Sequence, residues 1–270
     1  MQERIQKLLS RAGIASRRQV EAWIAEGVVT VNGKVASLGD KADPACDHVK
    51  VRGRRVALRQ EHKVHYLFYK PRGVLCTSEP DADRPTVVSF FSHLQQRLFT
   101  VGRLDLDSEG LIIVTNDGEL AHKLMHPKGG IPKRYLVKTK GVPGERALAL
   151  LVRGVPLEDG RTAPAEVKLL ETTKTNAWLE VILHEGRYRQ IRRMFDHVGH
   201  SVLKLRRVGY GFLTVGDLSP GDARTLTEAE IKRLDRMASG KERKPARPRR
   251  PTAAESPPKP KKKTRTRKGG

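Results

Sequence analysis

The spacing of apolar residues changes twice within the first sixty residues. A first helix is predicted by the i, i+3, i+4, i+7 spacing of Ile5, Leu8, Leu9 and Ala12. Ser16 followed by Gln19 has the pattern of a capping box, so a second helix is predicted to begin there and to end at Gly27. The apolar segment 28–35 then predicts a hairpin around Asn32-Gly33, which accept the positive φ angles of a tight turn. Residues 1–60 are therefore predicted to form a compact first domain.

The segment 62–237 mixes strand and helix patterns. Six strand-like runs are Val64–Lys70, Leu111–Thr115, Tyr135–Lys140, Ala165–Leu170, Trp178–His184 and Val202–Val208. Helical patterns include Glu145–Val152 and Arg189–Val198. Because strands and helices do not alternate regularly, we predict an α+β domain with a mixed, largely antiparallel sheet.

Residues 238–270 are rich in Pro, Lys and Arg and contain almost no apolar side chains. Such a segment is predicted to be disordered. It adds weak, salt-sensitive affinity for RNA or is an inert solubilising extension, and the sequence favours neither role.

The net charge indicates a polyanionic partner. The 270-residue chain carries +23, of which +11 lies in residues 241–270 and +12 in the rest. A basic tail therefore does not account for the excess, and nucleic acid is the expected partner. A cationic face on the first two helices is predicted from Arg4, Lys7, Arg11, Arg17 and Arg18. The alternative is that these are ordinary solvated helix charges.

Several classes of protein do not fit the sequence. No apolar run reaches the roughly 18 residues of a membrane span, and the start Met1-Gln2-Glu3-Arg4 is unlike a signal peptide. Cys46 and Cys76 form no CxxC pair, which argues against a disulfide framework or a thiolate zinc site. The chain is expected to be cytoplasmic and reduced.

The segment 101–118 is a polar cluster within an apolar frame. Asp105, Asp107 and Glu109 resemble the first half of a calcium loop, but Asn116 stands where that loop needs a glutamate. A glycosidase carboxylate pair is disfavoured, because one short turn rarely places two carboxylates on opposite faces of a sugar. A single catalytic carboxylate remains, and its alternative is a turn aspartate that caps backbone amides. The final Asn116-Asp117-Gly118 predicts a turn.

His122 and His126 have helical i, i+4 spacing but lack the glutamate of a zinc-protease helix. They are interpreted as surface or RNA-facing residues. No metal site and no nucleotide-binding glycine loop is predicted, and no cofactor is expected.

Two sets of motifs resemble known families. The "Ser-Arg-Arg" helix start at 16–18 and the "Val-Asn-Gly" hairpin at 31–33 resemble the small RNA-binding module of ribosomal protein S-four, the alpha-L motif. The segment 102–111, Gly-Arg-Leu-Asp-x-Asp-Ser-x-Gly-Leu, resembles the signature of RNA pseudouridine synthases. Flanking segments at 69–73, 133–137 and 185–194 follow in the same order. Over residues 2–235 the chain is similar to the RsuA family, and most to its RluB branch.

This resemblance implies the roles of individual residues. Asp105 corresponds to the catalytic aspartate, Arg192 to the arginine that pairs with it, and Tyr135 to the aromatic residue that packs against a flipped uracil. Arg103 corresponds to the position that braces the vacated site in the RNA, with a structural salt bridge as its alternative. Further phosphate contacts are expected from Arg187, Arg189 and Arg193. Lys70 and Pro71 are expected to shape the pocket rather than react.

The resemblance also implies a reaction and a partner. The expected activity is isomerisation of one uridine of ribosomal RNA, free or in a pre-ribosomal particle, with large-subunit RNA favoured by the branch. Family precedent suggests a monomer. The alternative from another class is a non-catalytic ribosome-assembly factor with the same fold, and a third is binding of nucleic acid by charge alone.

Overall fold

The computed structural model describes residues 2–58, 61–77 and 83–241. The predicted tail therefore lies almost wholly outside the described residues, apart from its start at 238–241. Within the described part of the chain, no helix is both long and apolar enough to cross a bilayer.

The N-terminal unit has two helices packed against small sheets. The helices are α1 (Ile5–Arg11) and α2 (Arg17–Ala25). The strands are β1 (Glu3–Arg4), β2 (Val29–Val31), β3 (Lys34–Val35), β4 (Lys41–Ala42), β5 (Val49–Val51) and β6 (Arg54–Arg55). Strand β1 pairs with β4, and the other four form a sheet in the order β3-β2-β5-β6. Their shared core contains the predicted apolar stripe of Ile5, Leu8 and Leu9.

Local sequence signals explain the boundaries of these elements. Ser16 Oγ accepts a hydrogen bond from the Gln19 amide, which caps α2 as predicted. The hairpin turn between β2 and β3 has φ angles of 51° at Asn32 and 85° at Gly33. Positive φ at both positions matches the twist of the two strands, so the predicted turn is confirmed.

The second unit is built on a nine-stranded sheet. Its strands are β7 (His65–Lys70), β8 (Phe99–Thr100), β9 (Glu109–Thr115), β10 (Lys133–Lys140), β13 (Glu166–Thr172), β14 (Asn176–Leu183), β15 (Val202–Tyr210), β16 (Leu213–Thr214) and β17 (Ala223–Thr225). A separate two-stranded ribbon is formed by β11 (Pro156–Leu157) and β12 (Gly160–Arg161). The helices are α3 (Gly118–Met125), α4 (Glu145–Arg153), α5 (Gln190–His197) and α6 (Glu228–Ala238), with short 3-10 turns at Val87–Phe91 and Pro127–Gly129.

The main sheet runs in the order β13-β14-β10-β15-β9-β7-β17, with β16 on β15 and β8 on β9. Of its strand pairs, β15–β9 is parallel and the others are antiparallel. The predicted α+β class with a mixed, largely antiparallel sheet is confirmed. The parallel register sets Arg206 beside Glu109 and Arg207 beside Gly110, so the loop before β9 lies beside the first half of β15.

Both faces of the sheet centre are covered. Along β9, Ile112 and Val114 belong to one apolar cluster, while Leu111 and Ile113 belong to another on the opposite face. This burial on two faces explains the continuous apolar run 111–114, because a strand covered on one face alternates apolar and polar residues instead.

Two helices were not predicted from the sequence. The segment 116–118 was interpreted as a turn, but Asp117 Oδ1 accepts from the amides of Glu119 and Leu120 and caps α3. Asp and Asn favour turns and helix caps for the same reason, since their side chains bond nearby backbone amides. The second missed helix, α6, begins at a capping box of Thr227 and Glu230 and ends at Ala238.

Candidate active site

The loop 101–108 carries the predicted catalytic aspartate into a partly exposed position. It connects β8 to β9, and Gly110, the second residue of β9, has a φ of 111°. A Cβ atom at Gly110 would lie 2.2 Å from the Arg207 carbonyl oxygen, so glycine is required where β15 runs beside β9. Asp105 and Asp107 have side chains 28% and 37% exposed, and an aspartate ordinarily carries a negative charge at neutral pH.

Two arginines near the start of α5 face these carboxylates. Arg189 Nη1 lies 3.8 Å from Asp105 Oδ2 and 3.6 Å from Asp107 Oδ1. Arg192 Nη2 lies 2.8 Å from Asp107 Oδ2. The predicted pairing of Arg192 with Asp105 is therefore wrong, because the carboxylate that Arg192 binds is that of Asp107. The two arginines are three positions apart near the start of the helix, so both reach the loop, and the more buried Arg192 meets Asp107.

Arg192 also holds the loop against the sheet. It is 8% exposed, and its Nη1 donates to the Val202 carbonyl at the start of β15. Through Nη2 it reaches the Ser108 hydroxyl at 3.5 Å. One buried guanidinium thus joins the acidic loop, α5 and β15.

Arg189 is the N-cap of α5 and has a left-handed backbone, with φ 45° and ψ 34°. This conformation is unfavourable for a residue with a side chain, by about 1–2 kcal/mol. It directs the Arg189 guanidinium toward both carboxylates. The sequence predicts Arg189 only as a phosphate contact, whereas the structure sets it beside Asp105; its i, i+3 relation to Arg192 is the signal in the sequence that points there.

Lys70 lies beneath the same loop. Its side chain is fully buried, and Nζ donates to the carbonyls of Ser108 at 2.8 Å and Pro71 at 2.9 Å. Burial lowers the pKa of the Lys70 ammonium, and the neighbouring Cys76, Asp105 and other acidic groups offset this only in part. Lys70 therefore fixes the loop backbone from below.

Tyr135 lies on β10, outside the ion pairs of Asp105 and Asp107. It is 9% exposed and shares one face of the strand with buried Val137 and Thr139. The apolar cluster that contains it also contains Leu104 and Ile191, the sequence neighbours of Asp105 and Arg192. Tyr135 thus belongs to the same buried apolar cluster as residues next to the two charged groups.

The remaining cations predicted near the site differ in whether they are exposed or hydrogen-bonded within the chain. Arg103 is exposed. Arg187 donates to the carbonyls of Asp159, Gly160 and Arg161, at 2.7–3.1 Å. Arg193 forms two hydrogen bonds to the Asp159 carboxylate, at 2.9 and 3.0 Å. Arg187 and Arg193 are therefore engaged within the chain, where they anchor the segment before α5.

The predicted cationic face of the N-terminal unit is partly neutralised. Lys7 and Arg11 both bind Glu3, and Lys7 also reaches Glu119 of α3 at 3.2 Å. Burial raises the pKa of Glu3, but these two cations outweigh it and lower the pKa below its ordinary value. Arg4, Arg17 and Arg18 are exposed. A cleft of about 390 Å³ is lined by Gln2, Glu3, Arg4, Gln6, Lys7, Arg17, Glu21 and Lys41.

Among the described residues, no group of three or more His, Cys, Asp or Glu side chains is arranged to hold a metal ion. His122 and His126 are exposed on and after α3, with ring centroids 5.7 Å apart.

Two family models match the chain. Residues 3–56 match the S4 domain, and residues 64–197 match the RNA pseudouridylate synthase family. The first match covers the unit of α1, α2 and their sheets, and the second covers the loop of Asp105 and helix α5.

Curated relatives and a solved structure agree. Ribosomal large subunit pseudouridine synthase B of Bacillus subtilis (strain 168) is 48% identical over 239 residues, which are 87% of this chain and 97% of that protein. The protein of the same name from Pasteurella multocida (strain Pm70) is 40% identical over 79% of this chain and 63% of its own length. A crystal structure of a pseudouridylate synthase aligns with a TM-score of 0.61 and 30% identity, covering 86% of this chain and 99% of that one.

An S4 domain followed by a mixed-sheet catalytic domain defines an RNA-modifying enzyme. The chain belongs to the RNA pseudouridine synthase family.

Proposed function

We propose that this enzyme converts one specific uridine of large-subunit ribosomal RNA into pseudouridine, with Asp105 as the catalytic group. The substrate class is supported by the 48% identical Bacillus relative, whose name states that activity. The observation that carries the assignment of Asp105 is its partly exposed carboxylate in a loop fixed by Arg192, Lys70 and the β15 backbone.

The reaction is an internal rearrangement. The bond between N1 of uracil and C1′ of ribose breaks, the base turns, and C5 bonds to C1′. The hydrogen on C5 leaves as a proton and N1 gains one, so atoms balance without another reactant. A negatively charged oxygen can act here as a nucleophile at C1′ or as a base toward the sugar, and both need an ionised, oriented aspartate.

Arg189 and Arg192 have different roles around this aspartate. Arg189, at 3.8 Å, faces Asp105 and limits the orientation of its carboxylate. Arg192 and Asp107 form the shorter pair, at 2.8 Å, which holds the loop in place. Asp105 therefore keeps an oxygen available for the sugar instead of being fully engaged by a buried guanidinium.

The target uridine must leave its stack to reach this loop, at a cost of a few kcal/mol. We assign Tyr135, which belongs to the same buried apolar cluster as Leu104 and Ile191, to the face of the flipped uracil. The S4 domain and the exposed cations Arg4, Arg17, Arg18 and Arg103 supply phosphate contacts that hold the RNA.

The test uses large-subunit RNA transcribed in vitro without modifications. The full chain should form pseudouridine at one position, mapped by carbodiimide modification and primer extension. Asp105→Asn should abolish the product while RNA affinity stays nearly unchanged, since it alters one charge on a chain of +23.

Asp217→Asn is the matched control, because it removes one exposed carboxylate outside the loop and should keep full activity. Product formation by Asp105→Asn would refute the role of Asp105. Modification of small-subunit RNA in place of large-subunit RNA would refute the substrate.

A further inference from the structure

Tyr188 is an aromatic residue that the fold leaves in solvent beside the candidate site. Its side chain is 76% exposed, more than any other large hydrophobic side chain in the described part of the chain. It immediately precedes Arg189, whose guanidinium reaches Asp105. The exposed ring is therefore one residue away in the chain from an arginine of the candidate site.

The backbone that carries this ring is fixed on both sides. On one side, Arg187 donates three hydrogen bonds to carbonyls of the ribbon turn 159–161. On the other, Arg193 Nε donates to the Tyr188 carbonyl at 2.8 Å while its Nη atoms bind Asp159. Tyr188 is thus exposed on an ordered segment, not at a loose loop tip.

The start of this segment is held by a second set of bonds. Glu185 Oε1 accepts from the Ala163 amide at 3.0 Å and from Gln190 Nε2 at 2.6 Å. Gln190 Oε1 in turn accepts from the Arg187 amide. The left-handed backbone at Arg189 adds a conformation that persists only when its surroundings hold it.

An ordered, exposed aromatic ring that lies between Arg187 and Arg189 in the chain matches one kind of ligand. An unpaired RNA base presents a flat face for stacking, and its phosphates are attracted by the neighbouring arginines. A paired base does not offer that face, because both of its sides are already stacked in the helix.

We propose that Tyr188 is a stacking platform for an unpaired base that flanks the target uridine. This inference rests on the proposed function for the identity of the RNA, but the stacking contact itself does not require turnover. It assigns the ordered segment 185–189 two tasks, which are to aim Arg189 inward at Asp105 and Tyr188 outward at the RNA.

The test measures binding of fluorescein-labelled oligouridylate of twelve nucleotides and of a twelve-base-pair RNA duplex to the full chain, by anisotropy across a salt series. Tyr188→Ala should weaken binding of the single strand roughly 5- to 150-fold. Binding of the duplex should not change. The slope of log affinity against log salt should also be unchanged, because no cation is removed.

Tyr188→Phe and Tyr188→Trp are the informative variants, since both keep a ring and should bind the single strand within about twofold of the parent. Val142→Ala, which trims another exposed apolar side chain, is the matched control and should have no effect. Thermal unfolding of all variants should coincide with that of the parent.

Wild-type affinity in Tyr188→Ala would overturn the proposal. Equal losses in the Phe and Ala variants would also overturn it, because the hydroxyl and not the ring would then make the contact. If the parent chain forms no pseudouridine but Tyr188→Ala still loses single-strand affinity, the proposed substrate fails and the stacking contact stands.

Discussion

The Arg192 guanidinium lies 2.8 Å from Asp107, whereas the guanidinium that faces Asp105 belongs to Arg189, at 3.8 Å. Both aspartates of the loop lie within 4 Å of Arg189, and Asp107 alone also pairs with Arg192. One pair is short and half-buried, and the other is longer and open to substrate. The difference separates the group that holds the loop from the group assigned to the chemistry.

Arg192→Gln should lower both stability and activity. It breaks the ion pair with Asp107, in which the arginine side chain is 9% exposed, and it removes the donor to the Val202 carbonyl. We expect a loss of about 2 kcal/mol in the free energy of unfolding, below the 3–5 kcal/mol of a fully buried pair because Asp107 is 37% exposed. Activity should fall about 10- to 100-fold as the loop loses its position. Urea unfolding and initial rates measure the two effects, and Asp107→Asn with the double variant gives the coupling energy. Full additivity would contradict the pairing.

Arg189→Gly should lower activity without lowering stability. Glycine accepts the left-handed backbone at this position, so stability should hold or rise by up to about 1 kcal/mol. Loss of the guanidinium beside Asp105 should reduce kcat roughly 100-fold. The control is Arg52→Gly, which relieves a similar backbone of φ 49° in the turn between β5 and β6. It should gain the same stability without the loss in kcat. Unchanged kcat in Arg189→Gly would remove Arg189 from the site.

The sequence predicted the elements of this site better than their contacts. Periodicity located the strands and α5, and the motifs singled out Asp105, Arg192 and Tyr135. It did not identify the partner of Arg192, because Arg189 and Arg192 lie on the same side of the helix start and only the β9–β15 register decides which carboxylate each reaches. The tight approach of Gly110 to Arg207 likewise depends on residues almost a hundred positions apart.

Two other features that the sequence did not predict, a helix cap and a set of ion pairs, were missed for different physical reasons. Asp117 was interpreted as a turn residue because the same side-chain acceptor serves turns and helix caps. The ion pairs of Glu3 with Lys7 and Arg11 depend on how the start of the chain folds back onto α1. The number and positions of the charges in the sequence therefore predict that Lys7 and Arg11 bind phosphate, although the fold pairs both with Glu3.

Gly110→Ala should be far more damaging than a glycine replacement at an open turn. The added Cβ would lie 2.2 Å from the Arg207 carbonyl oxygen, at a backbone φ of 111°. We expect a loss of at least about 3 kcal/mol, because backbone atoms of two strands must separate. Gly73→Ala is the control, since its φ is 83° but no atom lies within 4 Å of the new Cβ. It should cost only about 1–2 kcal/mol. Equal unfolding midpoints for the two variants would contradict the close approach of β9 to β15.

Lys133→Met should stabilise the chain at neutral pH. Burial, and then the charge of Arg207, lower the pKa of Lys133 from 10.5 to about 8. Between those values the unfolded chain holds a proton that the folded chain has released, so the contribution of Lys133 to stability rises with pH. Because pH 7 lies below both pKa values, the folded chain holds the buried Lys133 charge there, and its full destabilising free energy applies.

The variant should therefore be more stable than the parent at pH 7 by up to about 3 kcal/mol, at about 1.4 kcal/mol per pKa unit. The advantage should shrink as pH rises from about 8 to 10.5. Urea midpoints across that range measure it. A difference that is constant with pH would show that Lys133 has no lowered pKa.

The single parallel strand pair of the sheet has a consequence for synthesis of the protein. Asp105 and Arg189 are separated by more than eighty residues, and they meet only after β15 has inserted beside β9. A growing chain that has emerged only as far as β14 carries the aspartate and its loop without either arginine. On the proposed mechanism, a nascent chain therefore forms no pseudouridine until nearly the whole catalytic domain has left the exit tunnel, because fragments that end before Arg189 lack both arginines of the site.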